Sequence, residues 1–269
     1  MRLSAAEERQ FAEEGWLIVH EAVEPNMLEP LRQAAVRAAT LARGGGWGEG
    51  VRDGPGNSGR WGMSNLHHPA LREPVFAEYM ASPPVLDVVT QLLGVEDSAL
   101  EMRMCSLLFT PDEPWTLGCT LRCTLHPLAQ TNRLSPWPGH RDSPAGDFHT
   151  LPPEQEAEQL RLAPSSWGGL QWNCALWEDS CFEIGTTLPH PKALGRLWFL
   201  TRRCVVPETH RRATTAAERR VLTWPTSASE QDPEMPGRMV VSLAPGEAVY
   251  YHSSMFHRGV YPRSACFRP

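Results

Sequence analysis

The chain has 269 residues, enough for a single large domain with a sizeable core. Hydrophobic residues at 41% and charged residues at 21% are the proportions of a soluble globular protein. The net charge of -6 gives no footprint for nucleic acid, and no apolar run reaches the roughly 18 residues of a membrane span. The opening, MRLSAAEERQ, turns acidic too soon for a signal peptide, so the expectation is a cytoplasmic protein with neither nucleic acid nor membrane as partner. Nothing in the sequence bears on oligomeric state.

Helices are expected first. SAAEERQFAEEG opens on a capping box, Ser4 with Glu7, and closes on Gly15, which predicts a short helix. WLIV follows as a buried strand. From Asn26 to Arg43 an alanine-rich stretch carries Leu28, Leu31, Ala35, Ala38 and Leu41 along one face and stops at Gly44, predicting a second helix. A third follows Ser82, with Pro83 in its first turn and Gly94 as its stop. Beyond residue 100, short aromatic and apolar runs read as strands: LEMRMCSLLF, LQWNCALWED, MVVSLAPGEAVYYHSS and FHRGVY. The expected fold is α+β, mainly β, with helices packed outside a sandwich or barrel.

Seven cysteines without a C-x-x-C pair fit scattered free thiols, and Cys119-x-x-x-Cys123 is poorly spaced for a zinc knuckle. Lys192 is the sole lysine, so a P-loop is excluded and an anionic small molecule must be held by arginine.

The stretch PWPGHRDSP raises a metal hypothesis. In a strand, residues two apart share a face about 6.5 to 7 Å apart, so His140 and Asp142 can converge on one ion. A 2-His-1-carboxylate triad needs one more imidazole from a distant strand. His257 in FHRGVY is the preferred candidate. His252, five residues earlier in the same expected hairpin, is second, because an odd offset turns it to the other face of a regular strand. Gln171 and Trp172 are expected to alternate about the barrel wall, with a tryptophan in a strand more often core than ligand-lining. Arg211, Arg212, Arg219 and Arg220 read as a solvated face.

GHRD, LQWNCALWEDS, VVPETHRRATTAAER, LAPGEAVYYHSSMFHRGVY and the opening FAEEGWLIV together resemble the phytanoyl-CoA dioxygenase family of Fe(II)- and 2-oxoglutarate-dependent oxygenases. The resemblance spans most of residues 1–269 and implies a double-stranded β-helix, a jelly roll of the cupin kind. It implies His140, Asp142 and His257 as the catalytic iron ligands, with 2-oxoglutarate and O2 as cosubstrates. It also implies an arginine for the far carboxylate of 2-oxoglutarate, Arg268 or failing that Arg263, and a cosubstrate-lining share for Trp172 and Gln171. The implied reaction is hydroxylation or desaturation of a small organic substrate; a carboxylate ligand at Asp142 speaks against halogenation. His210 stands at a turn and is not assigned to metal.

The sequence departs from the family pattern in three places. Residues of about 119–139 and about 185–204 read as irregular insertions, either looped out or translated intron, and the C-terminus, one residue past Arg268, is short. Two rival functions follow: a metal-dependent hydrolase using the same three ligands, and a non-catalytic barrel or inactive product of a faulty gene model.

Overall fold

The computed structural model describes residues 2–43, 62–63, 66–108, 120–127, 152, 154–155, 170–177, 179–184, 202–206, 215–216, 239–252 and 255–260. Helix α1 spans Ala5–Glu14. Its capping box is closed on both sides: Ser4 Oγ accepts from the Glu7 amide at 3.3 Å, and Glu7 accepts from the Ser4 amide at 2.7 Å. Gly15 ends the helix at φ 81, a left-handed position that costs glycine little. Strand β1 (Trp16–Val19) follows at once.

Helix α2 spans Pro25–Arg43 and buries Leu31, Ala34, Ala35, Ala38 and Ala39. Small side chains along this stripe let the helix lie close on its neighbours. The stripe stops short of Leu41, which is 40% exposed rather than on the expected apolar face. Arg32 ties the helix to the sheet: its Nε donates to the Leu176 carbonyl at 2.6 Å, and its guanidinium lies 5.8 Å over the Trp177 ring. Helix α4 (Pro83–Leu93) starts at Ser82 and ends at Gly94, as the sequence predicts. A short helix that the sequence reading lacks, α3 (Val75–Met80), precedes it and buries Phe76, Tyr79 and Met80.

The described strands form two sheets. One has six strands in the order β1-β9-β5-β4-β3-β2, with β2 Gly62–Met63, β3 Leu100–Leu108, β4 Thr120–Pro127, β5 Leu170–Ala175 and β9 Ala248–His252. The other has four, in the order β10-β7-β6-β8, with β6 Asp179–Ile184, β7 Arg202–Val206, β8 Met239–Leu243 and β10 Phe256–Val260. Every pairing is antiparallel except β6 with β7. Consecutive strands change sheet: β5 to β6, β8 to β9, and β9 to β10. The β8–β9 connection is therefore a corner between sheets, not a hairpin. Pro245 and Gly246 make its turn, with Gly246 at φ 85 and the Glu247 amide donating to the Ala244 carbonyl at 3.0 Å.

Residues 120–127, read as part of an irregular insertion, are not looped out. They form β4, which pairs with β3 on one side and β5 on the other. Residues 202–204 of the second expected insertion belong to β7. Residues 128–139 and 185–200, and the C-terminal residues 261–269, lie outside the described residues.

The six-stranded sheet has two unlike faces. Leu17, Val19, Cys105, Leu107, Cys123, Leu170, Trp172, Cys174, Ala248 and Tyr250 form one core with buried residues of all four helices. The other face meets the second sheet: Trp16, Ala175, Val249 and Tyr251 cluster with Val241 and Leu243 of β8 and with Met255. These are called the helix-side face and the inner face. No helix among the described residues is long and apolar enough to cross a membrane.

Candidate metal and cosubstrate site

Strand alternation and register decide which residues share the inner face. Ser106, Gln171 and Asn173 lie at 4%, 0% and 1% exposure. Register places all three on the inner face: Gln171 pairs with Tyr251, Asn173 with Val249, and Ser106 with Arg122, itself the partner of Asn173. These three amide and hydroxyl side chains thus share one side of the sheet, while the polar groups of Trp172 and Tyr250 lie on the other. Burial of a polar group is costly unless its hydrogen bonds are made, so these side chains are polar positions set into the otherwise apolar inner face. Asn173 Nδ2 donates to the Tyr251 hydroxyl at 2.8 Å.

Trp172 turns the other way. Its Nε1 donates to the Tyr79 hydroxyl at 3.0 Å, and its ring stacks on Tyr250 with centroids 5.3 Å apart. The residue is fully buried within the helix-side core, on the sheet face opposite Gln171, so of the two candidates only Gln171 stands on the inner wall. Burial pushes the Tyr79 and Tyr250 phenols well above their ordinary range, and it pushes the Cys174 thiol up to about 12. Cys105, Cys123 and Cys174 are free thiols buried in this core, and burial also pushes the Cys123 thiol well above its ordinary range.

His257 is the second residue of β10, paired with Val205 of β7. Val205 pairs in turn with Ile184 and with Met239. Met239 is two residues before Val241 and four before Leu243, both packed against the inner face of the larger sheet. The register position of His257 thus belongs to the inner-face row of the four-stranded sheet. His252 ends β9 in the other sheet, opposite Leu170 and so in a helix-side row. The two histidines are separated by a change of sheet, not by the alternation of one strand that the sequence predicts. The corner is fixed by two backbone bonds, His252 N–H to Gly15 O at 2.9 Å and Met255 N–H to His252 O at 2.8 Å.

His140, Asp142, Arg263, Arg268, His210, Arg211, Arg212, Arg219 and Arg220 lie outside the described residues. Among the described residues, no three of histidine, cysteine, aspartate and glutamate gather around a common point. Asn173, Tyr251 and Ser106 were not singled out in the sequence. Their signal was the alternation in LQWNCA, in which Gln171 and Asn173 are the polar residues of every second position.

By sequence the chain matches no family model and no curated protein. Solved structures do resemble it. EctD from S. alaskensis in its apoform superposes with a TM-score of 0.53 at 15% identity, over 96% of this chain and 71% of that one. The same protein with bound Fe gives 0.53 at 16% identity and the same coverage. AviO1 from Streptomyces viridochromogenes Tue57 gives 0.50 at 13% identity, over 97% of this chain and 89% of that one. At such identities the likeness is one of fold: helices outside two facing, largely antiparallel sheets.

Proposed function

We propose that the protein is an Fe(II)- and 2-oxoglutarate-dependent dioxygenase of the phytanoyl-CoA dioxygenase kind. In this reading it is built on a double-stranded β-helix and hydroxylates or desaturates a small organic substrate in the cytoplasm. The observation that carries the reading is the register of His257, whose position in β10 shares a row with Val205 and Met239, the row that continues along β8 to Val241 and Leu243 of the inner cluster. It is supported by the fold shared with EctD, a protein solved both with bound Fe and with 2-oxoglutarate and 5-hydroxyectoine.

The donor set fits the metal. Two imidazoles and one carboxylate, His140, Asp142 and His257, would hold Fe(II), a donor set suited to that ion. Bound there, the metal would supply the redox chemistry by which dioxygen and 2-oxoglutarate are consumed together. The chain's own part is binding and exclusion. Arg268, with Arg263 as the alternative, clamps the distal carboxylate through a planar fork. Gln171 and Asn173 stand on the inner wall, and Val241, Leu243, Val249 and Met255 keep water from the space between the sheets.

Purified chain should retain stoichiometric Fe(II) through anaerobic gel filtration and release succinate only with both iron and 2-oxoglutarate present. His257→Ala should lose both properties. Succinate release that survives His257→Ala contradicts the proposal.

A further inference from the structure

Trp16 is 9% exposed, and its indole Nε1–H is buried without an acceptor among the described residues. Such a donor is expensive to leave unmet, and native interiors rarely do so. This tryptophan belongs to the apolar inner cluster with Ala175, Val241, Leu243, Val249, Tyr251 and Met255. Trp16 pairs with Tyr251, and Tyr251 pairs on its other side with Gln171. An indole, a phenol and a carboxamide therefore occupy neighbouring positions in one row, and the phenol takes a hydrogen bond from Asn173. The row lies at the end of β9 where the chain turns toward His257.

We propose that this β1 edge of the inner face is a subsite for a neutral, oxygen-bearing apolar small molecule, whose acceptor oxygen takes the Trp16 indole N–H. The inference deepens the dioxygenase reading and rests on it for the identification of that molecule as substrate. The chemistry selects the class. An indole N–H only donates, so it requires an acceptor and cannot serve an ammonium group. A carboxylate or phosphate placed among these apolar side chains would be desolvated without a counter-cation from the cluster, whereas a ketone, amide, ether or hydroxyl oxygen would not. The aliphatic neighbours then receive the body of the molecule.

The test uses the whole chain labelled with 15N at its tryptophan indoles, without iron or 2-oxoglutarate. Three probes of one shape are titrated: cyclohexanone, cyclohexanecarboxylate and cyclohexylammonium. The Trp16 resonance is assigned by its loss in Trp16→Phe or, should that variant not fold, by its contacts to the Leu17 amide. Cyclohexanone should move the Trp16 indole proton downfield and saturably, and the two ions should not. Trp16→Phe should weaken cyclohexanone binding about fivefold, the equivalent of one neutral hydrogen bond. No saturable shift, or a shift common to all three probes, overturns the subsite. Because the titration contains no metal, loss of the iron reading leaves its outcome unchanged, and the two proposals fail separately.

Discussion

Trp172→Phe separates the two faces of the large sheet by experiment. The substitution removes the hydrogen bond to Tyr79 and leaves that fully buried hydroxyl without its donor, a cost of about 1–3 kcal/mol. The missing edge of the indole leaves a small void worth about 1 kcal/mol, while the remaining ring can still stack on Tyr250. The expected total is about 2–4 kcal/mol. With an m-value of about 3 kcal/mol/M, the urea midpoint should fall by roughly 1 M. Tyr79→Phe added to Trp172→Phe should then cost less than it does alone, a coupling of at least about 0.5 kcal/mol. Since Trp172 is in the helix-side core, 2-oxoglutarate affinity should stay within experimental error of the wild type. A midpoint that hardly moves, or affinity lost while the midpoint holds, would refute the assignment of this ring to the core.

Ser4→Ala, which opens the capping box of α1, should lower stability by about 1 kcal/mol in a thermal melt, and no loss would contradict the box. The Cys174 thiol is raised from 9.0 to about 12, chiefly by burial, so between those values the unfolded thiol is ionised while the folded one keeps its proton. The unfolded state then binds fewer protons, and stability should fall as pH rises through that window, with no contribution from this group below it. Urea midpoints on either side of pH 9 measure the slope, which Cys174→Ala should reduce; a rise in stability with pH would be the opposite sign. Arg268→Ala should weaken 2-oxoglutarate binding by about 10- to 100-fold in an anaerobic titration, the equivalent of a charge-assisted pair. Unchanged affinity for Arg268→Ala with a loss for Arg263→Ala would move the clamp to Arg263.

Much of the helical part is legible in the sequence because its signals are local. The Ser4–Glu7 box, Gly15, Pro83 and Gly94 each act within one turn, and the structure shows helix ends at those points. Helix α3 escapes because it is six residues long and begins after Pro74 without a side-chain cap. Strand β4 carries a clear period of two, Leu121, Cys123 and Leu125 alternating with Arg122, Thr124 and His126. It is hidden because the segment stands where the resembled family's motif order has none. The change of sheet between His252 and His257 is a tertiary event, and alternation alone cannot foresee it. The same holds for Trp172: a period of two shows that it opposes Gln171, but only the packing of Tyr79 shows which side is the core.

The proposal that His140, Asp142 and His257 coordinate one iron is tested most directly by anaerobic titration of the chain with Fe(II) and 2-oxoglutarate, followed by the visible absorption of their chelate. The wild type should develop the band with saturation at one equivalent of iron per chain, and Asp142→Ala and His257→Ala should each develop none under the same conditions. A band of undiminished strength in His257→Ala, or none in the wild type, would contradict it.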